Sequence, residues 1–174
     1  DASALLENDC KRWGLECHRR NLPWCGGWAQ NCLRKPKFLL DALKHFKSSI
    51  LWIDADMRIE APILIKVDGD IGLVKTPLGH GLRWYAGVIW LNYTESTLTF
   101  LKEWSSISAQ ASSHGKYGDH NMMIAAISSV GNLNITDLPE EYCMRARKDK
   151  KCVIRCVAAR SPQKVKWKLE NNRK

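Results

Sequence analysis

Residues 49–56 read Ser49-Ile50-Leu51-Trp52-Ile53-Asp54-Ala55-Asp56. Residues 49–53 form a continuous apolar run, rich in β-formers and ending in charge. Such a run predicts a central, buried strand. In open α/β sheets ligands bind outside the carboxyl ends of the strands, and Asp54 and Asp56 fall where this strand ends. In extended chain the x-D-x-D spacing points both carboxylates to one side. Two carboxylates so close repel unless a cation lies between them. Hard divalent cations such as Mg²⁺ and Mn²⁺ take oxygen ligands, often one or two carboxylates plus substrate phosphates. The pair therefore suits a metal–diphosphate site. The competing reading is two solvated loop aspartates, and the apolar strand before them favours the site.

Outward from this stretch, helix and strand signals alternate. Residues 2–13 place Leu5, Leu6, Cys10 and Trp13 at helical spacing, with Gly14 as the stop. Residues 15–20 read as a short strand and 21–32 as loop, broken by Pro23 and Gly26-Gly27. Pro36 suits the first turn of a helix running to about residue 46. Residues 70–75 and 84–91 read as strands, and 95–110 as an amphipathic helix. Residues 119–130 read as another helix, with Asp119 as its expected N-cap. Residues 133–138 and 152–157 read as late strands. This alternation predicts an α/β fold, a mainly parallel or mixed sheet flanked by helices.

The 174 residues suffice for one domain with a sizeable core. No apolar stretch approaches the length of a membrane span. The chain opens at Asp1 almost directly into the helical pattern, with no initiating Met and no signal-like segment, which suggests a piece of a longer sequence. The formal net charge is +9, and all of the excess lies at the end. Residues 1–144 hold 15 basic and 16 acidic side chains, residues 145–174 hold 12 and 2. The expected organisation is a domain core over 1–144 and a basic segment over 145–174, either part of that domain or a partly disordered tail. A basic tail also raises a nucleic-acid-binding reading, which few interleaved aromatics and a net acidic core argue against. Seven cysteines without a C-x-x-C pair exclude zinc-ribbon and thioredoxin readings on spacing. Buried thiols are expected, and a cytoplasmic setting is favoured over the Golgi lumen. N-x-T sequons at Asn92 and Asn134 do not fix a compartment.

Four segments, in order, carry a family resemblance. Trp28 to Pro62 contains W-x-x-N-x-x-x-K-P-x-F (Trp28, Asn31, Lys35, Pro36, Phe38) followed by the strand ending in D-x-D. Trp84 to Asn92 is similar to an S-G-x-x-x-L-N strand, with Ala86 in place of Ser. Gly118-Asp119-His120-Asn121 and Met122-Met123-Ile124 are similar to a D-Q-x-x-L helix start, with His120 in place of Gln. Leu138-Pro139-Glu140-Glu141-Tyr142 is similar to L-P-x-x-Y. Together they resemble the nucleotide-diphospho-sugar transferases of GT-A fold, over roughly residues 2–166.

The resemblance implies a glycosyltransferase that moves a sugar from a nucleoside-diphosphate sugar to the hydroxyl of a glycan, protein or small-molecule acceptor. It implies Mn²⁺ or Mg²⁺, with Asp56 as direct ligand and Asp54 on metal or ribose. Lys35, at a helix start, is expected to meet phosphate, with Asn31 as its companion. Gly87 inside a strand suggests close approach of ligand or backbone, or else a bulge. Asp119 is expected to touch the donor sugar or act as base, and His120 to move protons. Two departures stand out. The family's first strand, which holds the nucleobase, is missing before residue 2, so an open sheet edge able to pair with another copy is expected. The family's late His is also missing, and Arg155 or Arg160 is expected to neutralise the diphosphate instead. These departures sustain an alternative, a non-catalytic or degenerate domain of the same fold.

Overall fold

The computed structural model describes residues 2–20, 22–78, 81–111, 118–145 and 152–156. In chain order its elements are α1 (Ala2–Arg12), α2 (Trp28–Cys32), α3 (Lys35–Phe46), β1 (Ile50–Ile53), β2 (Met57–Ile59), β3 (Ile71–Leu78) and β4 (Gly81–Leu91). There follow α4 (Glu95–Ala111), α5 (Asp119–Val130), β5 (Ile135–Leu138), a 3-10 turn (Glu140–Tyr142), β6 (Met144–Arg145) and β7 (Ile154–Cys156). They fall into two units. One comprises Trp24–Ile53 and Ile65–Pro139, the other Asp1–Pro23, Asp54–Leu64 and Glu140–Lys174.

In the first unit the sheet order is β1-β4-β3-β5. The β1–β4 and β3–β4 pairs are antiparallel and only β3–β5 is parallel. The sheet is therefore mixed rather than mainly parallel. The reason is the connection between β3 and β4: Leu78 pairs with Gly81, and a parallel partner would need a crossover of a dozen residues or more. The mixed sheet is one of the two forms expected, but the apolar run corrects an expectation. Among the described residues β1 pairs with β4 alone, so it stands at the sheet's edge rather than its centre. Hydrophobicity reports burial of a strand's faces, not pairing of its edges. The Trp52 face is covered by Phe38, whose ring meets it edge-on at 5.6 Å.

Helices α3, α4 and α5 supply the apolar stripes that bury this sheet. Leu39 and Leu43 from α3, Phe100, Leu101 and Trp104 from α4, and Met123 and Ala126 from α5 pack with Ile71, Leu73, Ile89 and Leu91. The i, i+4 spacing of Leu39–Leu43 and Phe100–Trp104 places each pair on one helix face. α3 stops at Lys47, whose φ of 51° is left-handed and closes the last turn. Asn92 ends β4 as a clamp: its Nδ2 donates to the carbonyls of Val67 and Gly69, and its Oδ1 accepts from Trp90 Nε1 and Ser49 Oγ.

The second unit holds α1 and a three-stranded sheet, β2-β7-β6, with β2–β7 antiparallel and β6–β7 parallel. α1 ends where expected, at a turn whose Gly14 has φ +66°. Asp9 fastens the helix to β2: its carboxylate accepts two hydrogen bonds from Arg58, at 2.6 and 2.8 Å, and one from the Ile59 amide at 3.0 Å. Trp13 Nε1 donates to the Ile59 carbonyl. The Arg58 hydrogen bonds hold the Asp9 carboxyl below the usual aspartate range against the opposing effect of burial.

Smaller corrections follow from local chemistry. Residues 15–20 form no strand, since Glu16, His18, Arg19 and Arg20 are exposed and leave no face to bury. Residues 28–32, expected in a loop, are helical, with Gln30 Oε1 accepting the Gly27 N–H at 3.0 Å. The N-cap of α5 is Gly118, and Asp119 is the first helical residue. β2 and the 3-10 turn carry no periodic signal long enough to read in sequence. No disulfide joins the cysteines, all of which lie among the described residues. Cys10, Cys143 and Cys152 are buried, while Cys17 and Cys25 are exposed. No helix among the described residues is long and apolar enough to cross a membrane.

Candidate functional site

The first unit contains a break in strand pairing. β3 and β4 run in register from Ile71↔Leu91 to Leu73↔Ile89, and then Val74 pairs with Tyr85. Three residues of β4, Ala86 to Val88, therefore span one step of β3. Val88 pairs with Ile53, the last residue of β1. Ala86 and Gly87 have no register partner on either neighbouring strand. This is a β-bulge, and it lies beside the carboxyl end of β1. Bulges re-aim side chains and leave backbone groups outside the ladder. Gly87 is thus buried at the bulge, one of the two roles its sequence context allowed.

Lys35 takes the carbonyl that the bulge releases. Its Nζ donates to the Ala86 oxygen at 2.8 Å. The same ammonium lies 2.6 Å from Asp119 Oδ2, and both side chains are only 7% exposed. Trp52 contributes its ring face, 5.5 Å from Nζ. Lys35 reaches this place because it opens α3, while Asp119 opens α5. Burial alone would raise the Asp119 pKa. The Lys35 charge and the His120 hydrogen bonds outweigh it and hold the carboxyl well below the ordinary aspartate range. Asp119 also lies in the first turn of α5, where the helix dipole favours negative charge.

The other oxygen of Asp119 serves His120. Oδ1 accepts the His120 backbone N–H at 3.1 Å and lies 3.1 Å from the ring Nδ1. The imidazole meets the Tyr85 ring edge-on, with centroids 4.6 Å apart. Its side chain is 27% exposed. The result is a chain of contacts running from the bulge through Lys35 and Asp119 to a partly exposed imidazole. The sequence motifs named Lys35, Asp119 and His120 separately. Tyr85, Trp52 and the Ala86 carbonyl were not singled out, and no sequence signal pairs a lysine with an aspartate 84 positions later.

Three expected ligands have other work. Lys35, expected at phosphate, is buried on Asp119 and Ala86. Asn31 braces its own loop: Nδ2 donates to the Cys25 and Gly27 carbonyls, and Oδ1 accepts the Cys25 amide. Arg155, in the second unit, is bidentate with Glu60. Arg160 and the rest of the basic segment beyond residue 156 lie outside the described residues.

Asp54 and Asp56 belong to the second unit. They sit in a turn, closed by the Met57 N–H donating to the Asp54 carbonyl at 3.0 Å, rather than in extended chain. The period-2 argument for their shared direction therefore does not apply. Both are half-buried. Among the described residues no three His, Cys, Asp or Glu side chains gather as a metal-binding group. Two carboxylates suit Mg²⁺ or Mn²⁺ only where substrate phosphates complete the coordination.

No family model matches the chain, and no curated protein matches it. Among solved structures, it is similar to a glycosyltransferase involved in the glycosylation of the major capsid of PBCV-1. The TM-score is 0.70 at 13% sequence identity, covering 98% of this chain and 90% of the other. The chain thus has a glycosyltransferase-like α/β fold.

Proposed function

We propose that this protein transfers a sugar from a nucleoside-diphosphate sugar to an acceptor hydroxyl. The observation that carries the reading is the buried Lys35–Asp119–His120 chain at the β4 bulge, beside the carboxyl end of β1. A buried ion pair that ends on a partly exposed imidazole is expensive to build and has the composition of an acid–base site. The fold supports the reading, since open α/β sheets bind ligands at this end, and the similar solved structure is a glycosyltransferase. Asp54 and Asp56 would hold Mn²⁺ or Mg²⁺. When bound, the ion supplies charge neutralisation to the departing diphosphate.

A second reading is a non-catalytic domain of the same fold. It is favoured by Asn31, Lys35 and Arg155, three expected donor contacts that are engaged elsewhere. Calorimetry with uridine and guanosine diphosphates, with and without Mn²⁺, separates the two. Metal-dependent binding is the outcome expected of the transferase, and no binding under either condition favours the second reading.

A further inference from the structure

Asp119 is fully committed to its neighbours. A carboxylate has two oxygens that only accept hydrogen bonds while ionised. Oδ2 faces the Lys35 ammonium at 2.6 Å. Oδ1 faces the backbone N–H and Nδ1 of His120, each at 3.1 Å. For Asp119 to take a proton, the charge facing Lys35 must vanish inside a buried site. For Lys35 to turn to a phosphate, it must leave a buried carboxylate uncompensated and release the Ala86 carbonyl. Asp119 is thus unsuited to act as the base, and Lys35 to bind a phosphate.

His120 is suited. Because an ionised carboxylate cannot donate, Nδ1 of His120 carries the proton in their shared hydrogen bond. In the neutral ring the lone pair then belongs to Nε2. Nε2 has no hydrogen-bond partner among the described residues, and the ring is partly exposed. The Tyr85 edge contact at 4.6 Å and the Asp119 bond restrict the ring from two sides. A base held in one tautomer by a buried carboxylate is the general arrangement for activating a hydroxyl.

We infer that Nε2 of His120 is the proton acceptor for the acceptor hydroxyl, that Asp119 is a positioning residue acting through His120, and that Lys35 is the counter-ion holding Asp119 in place. The inference rests on the sugar-transfer reading. In the step it describes, the acceptor's O–H proton passes to Nε2 and the hydroxyl oxygen bonds to the anomeric carbon. The bond from that carbon to the diphosphate oxygen breaks, and the diphosphate leaves with the electron pair.

Two measurements test it. The first is ring ¹⁵N NMR of the wild-type protein and Asp119→Asn. The expected result is a wild-type ring whose tautomer carries its proton on Nδ1, with that preference lost in the variant. A wild-type ring protonated on Nε2, or a variant with the preference unchanged, overturns the arrangement. The second is release of nucleoside diphosphate from a panel of uridine and guanosine diphosphate sugars, with water or simple glycosides as acceptor. His120→Gln keeps an amide able to hydrogen-bond Asp119 but cannot take a proton. It should lower kcat by about 100-fold or more while the donor KM stays within about twofold. Retention of more than a third of wild-type kcat overturns the proton-acceptor role alone. No release by the wild-type protein with any donor overturns the transfer reading and the proton-acceptor role together.

Discussion

Lys35 and Asp119 stand 84 residues apart in the chain, yet their charged groups meet at 2.6 Å with both side chains almost wholly buried. Little of either group is exposed to water, so each relies on the other to offset its charge. The second oxygen of Asp119 accepts the His120 backbone N–H at 3.1 Å.

Lys35→Met is expected to destabilise the protein by about 3–5 kcal/mol, because it leaves the Asp119 charge uncompensated in the interior. Replacing both residues with apolar ones of similar volume should cost much less, since the uncompensated charge goes too. Urea denaturation of Lys35→Met, Asp119→Leu and the double variant measures this. A single variant within about 0.5 kcal/mol of wild type would mean that the pair is not buried as described.

Acid should unfold the protein in part through Asp119. Its folded-state pKa is depressed below the ordinary value of 3.8. The stabilisation is therefore complete above that value and is lost as pH falls below it toward the lower folded pKa. Asp9 and Glu60, both depressed by arginine hydrogen bonds, act in the same direction. Thermal melts from pH 5 down to pH 2 should show steep loss in the wild type. Asp119→Asn should start less stable and lose less over that interval. A parallel decline in both proteins would remove Asp119 from the acid transition.

Asp56→Asn preserves shape and removes one charge from the 54–57 turn. Mn²⁺-dependent binding of a nucleoside diphosphate should weaken by about 1–3 kcal/mol, while metal-free binding should change little. Folding should be preserved, since the residue is in a half-buried turn rather than the core. Calorimetry on both proteins decides the matter, and equal Mn²⁺-dependent binding would exclude Asp56 as a ligand.

In the second unit, Asp9→Ala removes three hydrogen bonds at once and leaves the Ile59 amide without its acceptor. Arg58 is more than a third exposed, so solvent screening reduces its share of the loss. A cost of about 1–2 kcal/mol is expected, mainly from the buried Ile59 amide. Hydrogen exchange should speed at Ile59 and across α1. Unchanged protection there would show that α1 is held by its apolar contacts alone.

The elements legible in the sequence were those whose signal is local. The apolar stripe of α3, the Pro36 start, the β-rich runs of β1 and β4 and the stop at Gly14 depend on near neighbours in the chain. The D-x-D at the end of β1 and the Asp119-His120 start of α5 were visible for the same reason. What remained hidden depends on pairing between distant segments. β1 came to the sheet's edge because a strand's hydrophobicity says nothing of its hydrogen-bonding partners. The bulge at Ala86–Gly87 arises from register, which no single strand encodes. Only the fold brought the Lys35 ammonium to the Ala86 carbonyl and to Asp119. A charge in low dielectric must find its partner wherever the chain places one, and for Lys35 that partner is Asp119, 84 residues away.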